Sequence, residues 1–371
     1  MVRNFLRTAL VLAFLPICLS PAPAFAKALV EVAFVVDTTG SMGGLIEGAK
    51  RKIWSIARAI VDANPDADIR MGLVAYRDIG DEYVTRTFDL TTDIQDIYAH
   101  LLEFKARGGG DWPESVNEAL FIGVTKLSWT QGPDVDRIMF LVGDAPPHMD
   151  YAQDTKYPEV LRIARERGII VNAVQAGDAR DTERAWREIA QFGNGRYIPI
   201  PQDGGVVLII ETPFDREIIE LQGDINGTVI PYGSRSKRSA VESKQRQVAA
   251  APAAVATEMA GYLNRRAMRS ASAEAVTGEG DLVTDVAAGR QALDKVKDEE
   301  LPDNVRKLAP AERKAFVDQQ MTQRKALNDR LAELIKKRDQ YAFEQQKKAP
   351  LKKGDSFDRA VEETLKAQIK R

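Results

Sequence analysis

Apolar residues follow two rhythms over the first two thirds of the chain. The runs "ALVEVAFVVD" (28–37), "DIRMGLVAYRD" (68–78), "DRIMFLVGD" (136–144) and "GIIVNAVQA" (168–176) are nearly continuous, the pattern of strands buried on both faces. After the first run, Met42, Leu45, Ile46, Ala49, Ile53, Ile56, Ala57 and Ile60 recur at helical spacing, with Lys50, Arg51, Lys52 and Arg58 mostly off that stripe. Further helical patterns cover about 93–105, 113–127, 156–167 and 182–192. "YVTRTFDLT" (83–91) reads as a shorter edge strand, "RYIPI" (196–200) as the last strand and "PFDREIIELQGDI" (213–225) as a closing helix. This alternation predicts an α/β fold, a doubly wound and mostly parallel sheet flanked by helices. Ligands of such sheets sit beyond the carboxyl ends of the strands, where Asp37 and Asp144 fall.

The rhythm is lost after about residue 232. "SRSKRSAVESKQRQ" (234–247) has little apolar content and "AAAPAAVA" (249–256) is rich in Ala and Pro, so 226–275 is expected to be a partly disordered linker. A short helix is expected over 257–268. From 276 to 371 the chain reads as a charged helical region, strongest over about 309–346. There Val317, Leu327, Leu331, Leu334, Ile335 and Tyr341 form a narrow stripe that Arg324 and Arg338 interrupt. A solvated amphipathic helix is the expectation.

The first 26 residues belong to neither part. Arg3 and Arg7 precede an apolar core, and Ala24-Phe25-Ala26 precedes Lys27, the layout of a secretory signal cleaved after Ala26. The core is too short to span a bilayer comfortably, so no integral membrane segment is expected in the mature chain. The single cysteine, Cys18, lies within this signal, which leaves a thiol-free exported chain best read as bacterial and periplasmic. The expected domain division is thus a signal at 1–26, an α/β domain at 27–225, the linker and the helical tail.

Charge separates the two halves. The net charge of −2 hides 29 Lys/Arg against 21 Asp/Glu in residues 233–371, and 23 against 33 in residues 1–232. An acidic front and a basic back suit mutual attraction or separate partners. Nucleic acid is excluded as a first choice because carboxylates are laced through the basic half.

The chemistry concentrates in "VVDTTGSMGG" (35–44), where a strand gives way to a helix. A phosphate loop is rejected, since neither the Walker pattern nor G-x-G-x-x-G is present. Thr39-Gly40-Ser41-Met42-Gly43 comes one residue short of a G-x-S-x-G nucleophile elbow. A serine hydrolase would also need a base. Of the two histidines, His100 is read as solvated on its helix and His148 as a loop residue. A phosphatase with Asp37 as nucleophile would need an acid at position 39, where Thr39 stands. A metal site fits best. Asp37, Thr39 and Ser41 alternate along one loop, and hard oxygen donors of this kind suit Mg2+ or Mn2+. Neutral hydroxyls leave the ion most of its charge, so a carboxylate from another molecule becomes a favourable further ligand.

The sequence D-x-T-G-S-M after a buried first strand resembles the metal-ion-dependent adhesion site of von Willebrand factor type A domains. The resemblance covers about 28–225. It implies that Asp37, Thr39 and Ser41 form the first ligand loop, with Thr39 in place of the commoner Ser. "GGGDWPE" (108–114) resembles the second loop of the bacterial branch, with Asp111 where many members have Thr, as a direct or water-mediated ligand. Asp144 in "FLVGDAPPH" matches the third loop. The implied function is a non-enzymatic binding module whose cation grips an Asp or Glu of a partner protein. The rival readings are a hydrolase using Asp37 or Ser41, and a scaffold with an unoccupied site. Around the site, Asp78, Asp81 and Glu82 read first as a solvated acidic loop, with lining the site or holding a second cation as the alternatives, Glu114 as a helix-start acid and Trp112 as a contact or packing residue. Trp54 and Trp186 read as packing residues.

Overall fold

The computed structural model describes residues 28–64, 67–205, 210–269, 274–348 and 357–369. The expected signal, 1–26, lies outside the described residues. The chain runs β1 (Leu29–Asp37), α1 (Gly43–Ala63), β2 (Asp68–Tyr76), β3 (Thr85–Thr91), α2 (Ile94–Glu103), α3 (Val116–Thr125), β4 (Val135–Gly143), α4 (Tyr157–Glu166), β5 (Ile169–Ala176), α5 (Arg180–Phe192), β6 (Asn194–Ile200) and α6 (Asp215–Gly227). The six strands lie in the order β3-β2-β1-β4-β5-β6. All neighbours are parallel except β3, which runs antiparallel to β2 at the edge.

Side-chain alternation divides the core between the two faces. Along β1, Val30, Val32, Phe34 and Val36 pack with α1 and α2, whereas Ala33 and Val35 pack with α3, α4 and α5. Trp54 lies in the first cluster and Trp186 in the second, both fully buried, as packing residues. Strand order reverses at β1 and β4, because the chain leaves β1 towards β2 on one side and returns to β4 on the other. At that reversal the connections diverge and open a crevice at the carboxyl edge. Asp37 is the last residue of β1, and Asp144 follows β4 directly.

The rest of the chain is helical: α7 (Arg235–Ala250), α8 (Ala253–Ala267), α9 (Leu282–Ala287), α10 (Asp303–Arg306), α11 (Pro310–Lys348) and α12 (Phe357–Gln368). The expected linker therefore carries two helices. Ala has the highest helix propensity, and docking of Val255, Met259, Tyr262 and Leu263 against the α1 face turns an Ala-rich stretch into α8. The long helix α11 is not merely solvated. Leu331, Leu334 and Ile335 pack on Ile218, Leu221 and Ile225 of α6. The two arginines that break its apolar stripe face inward: Arg324 reaches Asp281 at 2.6 Å, and Arg338 reaches Glu258 at 2.7 Å. From α12, Phe357, Val361 and Leu365 cover the sheet beside α1. No helix among the described residues is long and apolar enough to cross a membrane.

Candidate metal centre

The β1–α1 loop folds around the first acid. Asp37 is fully buried, and its Oδ1 accepts from the Thr39 N–H at 2.8 Å and the Thr39 hydroxyl at 2.7 Å. Thr39 Oγ1 lies 3.4 Å from Ser41 Oγ, and Ser41 is exposed at the mouth. Three oxygens thus step from the sheet core to the surface. The other oxygen of Asp37, Oδ2, is buried with no hydrogen-bond partner among the described residues.

Two segments close over this loop. Thr38 O accepts from the Arg107 N–H, and the Gly40 N–H donates to Gly108 O at 3.1 Å. Gly108 and Gly109 have φ of +81° and +83°, and a Cβ on Gly109 would stand 3.2 Å from both Thr39 Cβ and Glu114 Oε1. Only glycine lets this turn approach the ligand loop so closely. From below, the buried Arg77 donates its Nε–H to Thr38 O at 3.2 Å and its Nη2–H to Lys105 O at 3.0 Å.

Asp144 enters from the end of β4 and is nearly buried. The Thr182 hydroxyl donates to its carbonyl at 2.9 Å, and Gln202 Nε2 donates to its Oδ2 at 2.6 Å. Glu114 is the fifth oxygen-bearing group. Its backbone is pinned by bonds with Pro146 and His148, and its buried Oε2 has no hydrogen-bond partner among the described residues.

Too many acids meet here for all to ionise unaided. Burial pushes Asp37 up to about 7, with Asp144 adding to the rise and the Thr39 N–H opposing it. Burial pushes Glu114 up to about 9, and Asp37, Asp78, Asp81 and Asp144 all add to it. A divalent cation reverses this balance, because its charge favours the ionised carboxylates. The unpartnered Asp37 Oδ2, the neighbouring hydroxyls and the all-oxygen donor set fit a hard cation.

Asp111 follows the glycine turn. Its exposed carboxylate approaches His148 Nε2 at 3.5 Å. Asp78 is not solvated either: it is buried, and accepts from Ser115 Oγ and from Tyr151 OH, each at 2.7 Å. His148 is buried and stacks on Tyr151 with ring centroids 3.9 Å apart. His100 stacks on Phe88 at the same spacing. Among the described residues, neither histidine is hydrogen-bonded to Ser41, whose partners are Thr39 and Gln202. Trp112 is 47% exposed and donates its Nε1–H to Asp181 at 2.7 Å.

The family model described as von Willebrand factor A domain matches residues 31–209, from within β1 past the end of β6 and including the ligand loops. This segment is a von Willebrand factor A domain. The chain is 31% identical over 124 residues to a putative ariadne-like RING finger protein of Acanthamoeba polyphaga mimivirus, covering 33% of this chain and 12% of the relative. It is 30% identical over 125 residues to the alpha-protein kinase vwkA of Dictyostelium discoideum, covering 33% and 19%. It therefore spans less than a fifth of the length of either curated relative it matches. Among solved structures, proximal thread matrix protein 1 of the mussel byssus, with zinc in its MIDAS motif, aligns at 16% identity, covering 48% of this chain and 43% of that one with a TM-score of 0.36.

Within the von Willebrand factor A domain, three site residues were not legible as such in the sequence. Glu114 reads as an ordinary helix-start acid, although its place directly after the glycine turn was the available signal. Gln202 belongs to a loop after β6 with no motif. His148 stands four residues past Asp144, and only the fold shows that it faces Asp78.

Proposed function

We propose that the von Willebrand factor A domain holds a divalent cation, Mg2+ or Mn2+, through Asp37, Thr39, Ser41 and Asp144, and uses it to grip an Asp or Glu of a partner protein. The observation that carries this reading is the fully buried Asp37, whose Oδ2 has no hydrogen-bond partner among the described residues and whose carboxyl is pushed up to about 7. A buried, unpartnered carboxylate oxygen is costly unless something positive reaches it.

Each residue has a defined task. Asp37 supplies the anchoring charge, Thr39 and Ser41 supply neutral oxygens, and Asp144 supplies a second charge that Gln202 orients. Glu114 stands behind them as a buried reserve of charge. Bound there, the ion would act as a Lewis acid towards an incoming carboxylate. The exposed Ser41 marks the side from which that carboxylate arrives.

The surroundings favour a macromolecular ligand. Six large apolar side chains are strongly exposed among the described residues, and three of them, Ile79, Trp112 and Met149, lie on the three loops at this sheet edge. Aromatic and Met side chains of this kind are enriched in protein interfaces. We further propose, on the secretion-signal pattern of residues 1–26, that this function is exercised outside the cytoplasm, in a bacterial periplasm.

The test uses Mn2+ as a spectroscopic probe of the full chain. Addition of N-acetyl-aspartate amide should perturb the electron paramagnetic resonance spectrum of bound Mn2+, while the asparagine analogue should not. A spectrum indifferent to both would remove the carboxylate-gripping mechanism.

A further inference from the structure

A second group of potential ligands lies on the same sheet edge. We infer that Asp78, Asp111 and His148 form a separate site for a borderline transition-metal ion of the Zn2+ class. Their ligand atoms all lie within 4.8 Å of one another, close enough to share one ion. His148 Nε2 stands 3.5 Å from Asp78 Oδ2 and 3.5 Å from Asp111 Oδ2.

The imidazole distinguishes this group from an ordinary acidic patch. His148 is more than nine-tenths buried, and its Nε2 has no hydrogen-bond partner among the described residues. Its other ring nitrogen, Nδ1, donates to Asp150 Oδ1 at 2.8 Å. That bond assigns the proton of the neutral ring to Nδ1 and leaves the Nε2 lone pair facing the two carboxylates. A carboxylate behind a ligating histidine is the usual device for fixing its tautomer and raising its basicity. The stacked Tyr151 holds the ring plane.

Asp78 is equally well prepared. Ser115 Oγ donates to one of its oxygens and Tyr151 OH to the other, both at 2.7 Å. Each bond uses one lone pair of an oxygen that has another, so the carboxylate is oriented without being saturated. Asp111 completes the group from the exposed glycine loop. Two carboxylates and an imidazole are mixed O/N donors, which suit Zn2+ better than Mg2+, with the remaining positions open to water or an external ligand. Asp111 is thereby committed to this site, beside the one built on Asp37.

The full chain contains only two histidines, so imidazole NMR tests the assignment directly. Saturation with Zn2+ should shift the ring resonances of His148 and leave those of His100 in place. The shift should persist in Asp37→Asn, which removes the anchor of the first site. It should weaken markedly in Asp111→Asn, an exposed position whose loss leaves the core intact. His148→Gln should bind one Zn2+ fewer than the wild type. No movement of the His148 ring at saturating Zn2+, or a shift abolished by Asp37→Asn, would overturn the second site. The former would leave the Asp37 site untouched, whereas unchanged Mn2+ binding in Asp37→Asn would count against that site alone.

Discussion

The guanidinium of Arg324 lies 2.6 Å from the carboxylate of Asp281, and both side chains are almost completely buried. The arginine also donates to Thr228 Oγ1 at 2.7 Å, to Thr284 Oγ1 at 2.9 Å and to Thr228 O at 3.0 Å. Helix α11 is therefore fastened to the segment after α6 by a charge with its donors satisfied. Such a pair adds little over apolar packing, but stranding one partner is expensive. Arg324→Ala should destabilise the tail by about 3–5 kcal/mol. Arg324→Met with Asp281→Leu should recover much of that loss. Denaturant unfolding of the two variants checks this, and equal loss in both would contradict it.

Proton linkage should appear in the metal-free protein. The carboxyl of Asp37 has an ordinary value of 3.8 and is pushed up to about 7 in the folded state. Between these values the native state holds a proton that the unfolded chain releases. Its contribution to stability is fully present below about 3.8, and is lost as the pH rises through about 7. Glu114, pushed up to about 9, extends the loss upwards. Metal-free melting temperature should thus fall with rising pH, and apparent cation affinity should rise as Asp37 loses its proton. At pH 8 without metal, Asp37→Asn should melt above the wild type, and saturating Mg2+ should reverse that order.

The glycine turn gives a positional test. Gly109 has φ of +83°, and a Cβ there would meet Thr39 and Glu114, whereas Gly110 opens onto free space. Gly109→Ala should cost about 1–2 kcal/mol through left-handed backbone strain alone. It should also weaken cation binding by pushing on Thr39. Gly110→Ala should be close to neutral in both assays. Matched calorimetric titrations of the two variants would settle it, and equal effects would mean that the turn does not brace the ligand loop.

The sheet was legible because buried parallel strands leave continuous apolar runs, as "ALVEVAFVVD" does, and because Asp37 interrupts that run at its end. Asp37, Thr39 and Ser41 were legible because side chains on alternate residues of one loop can turn to one point. Asp144 followed from its place after a second such strand. Asp111 was assigned by likeness alone, and the fold brings its carboxylate to 3.5 Å from His148 Nε2, a neighbour the likeness did not imply. No local pattern brings positions 78, 111 and 148 together, since their meeting depends on the crossovers that place β2, the α3 loop and β4 along one edge. The tail misled for a different reason. An arginine in an apolar stripe usually marks the stripe's end, but Arg324 and Arg338 find carboxylates, buried in Asp281 and half-buried in Glu258, contributed by distant segments. The short helix expected over 257–268 is the greater part of α8, and it begins earlier, within the alanine-rich stretch, where Val255 joins Met259, Tyr262 and Leu263 against the apolar face of α1.

The central claim, a cation held on Asp37, is tested most directly by thermal unfolding of the full chain in EDTA, in Mg2+ and in Mn2+, beside Asp37→Ala. An ion that binds only the folded state should stabilise it by about 2.7 kcal/mol at a hundredfold excess over Kd. The wild type should therefore melt higher in either metal than in EDTA, and Asp37→Ala should melt at one temperature in all three. A wild type indifferent to millimolar metal, or an Asp37→Ala variant that keeps the full Mg2+ shift, would contradict the account.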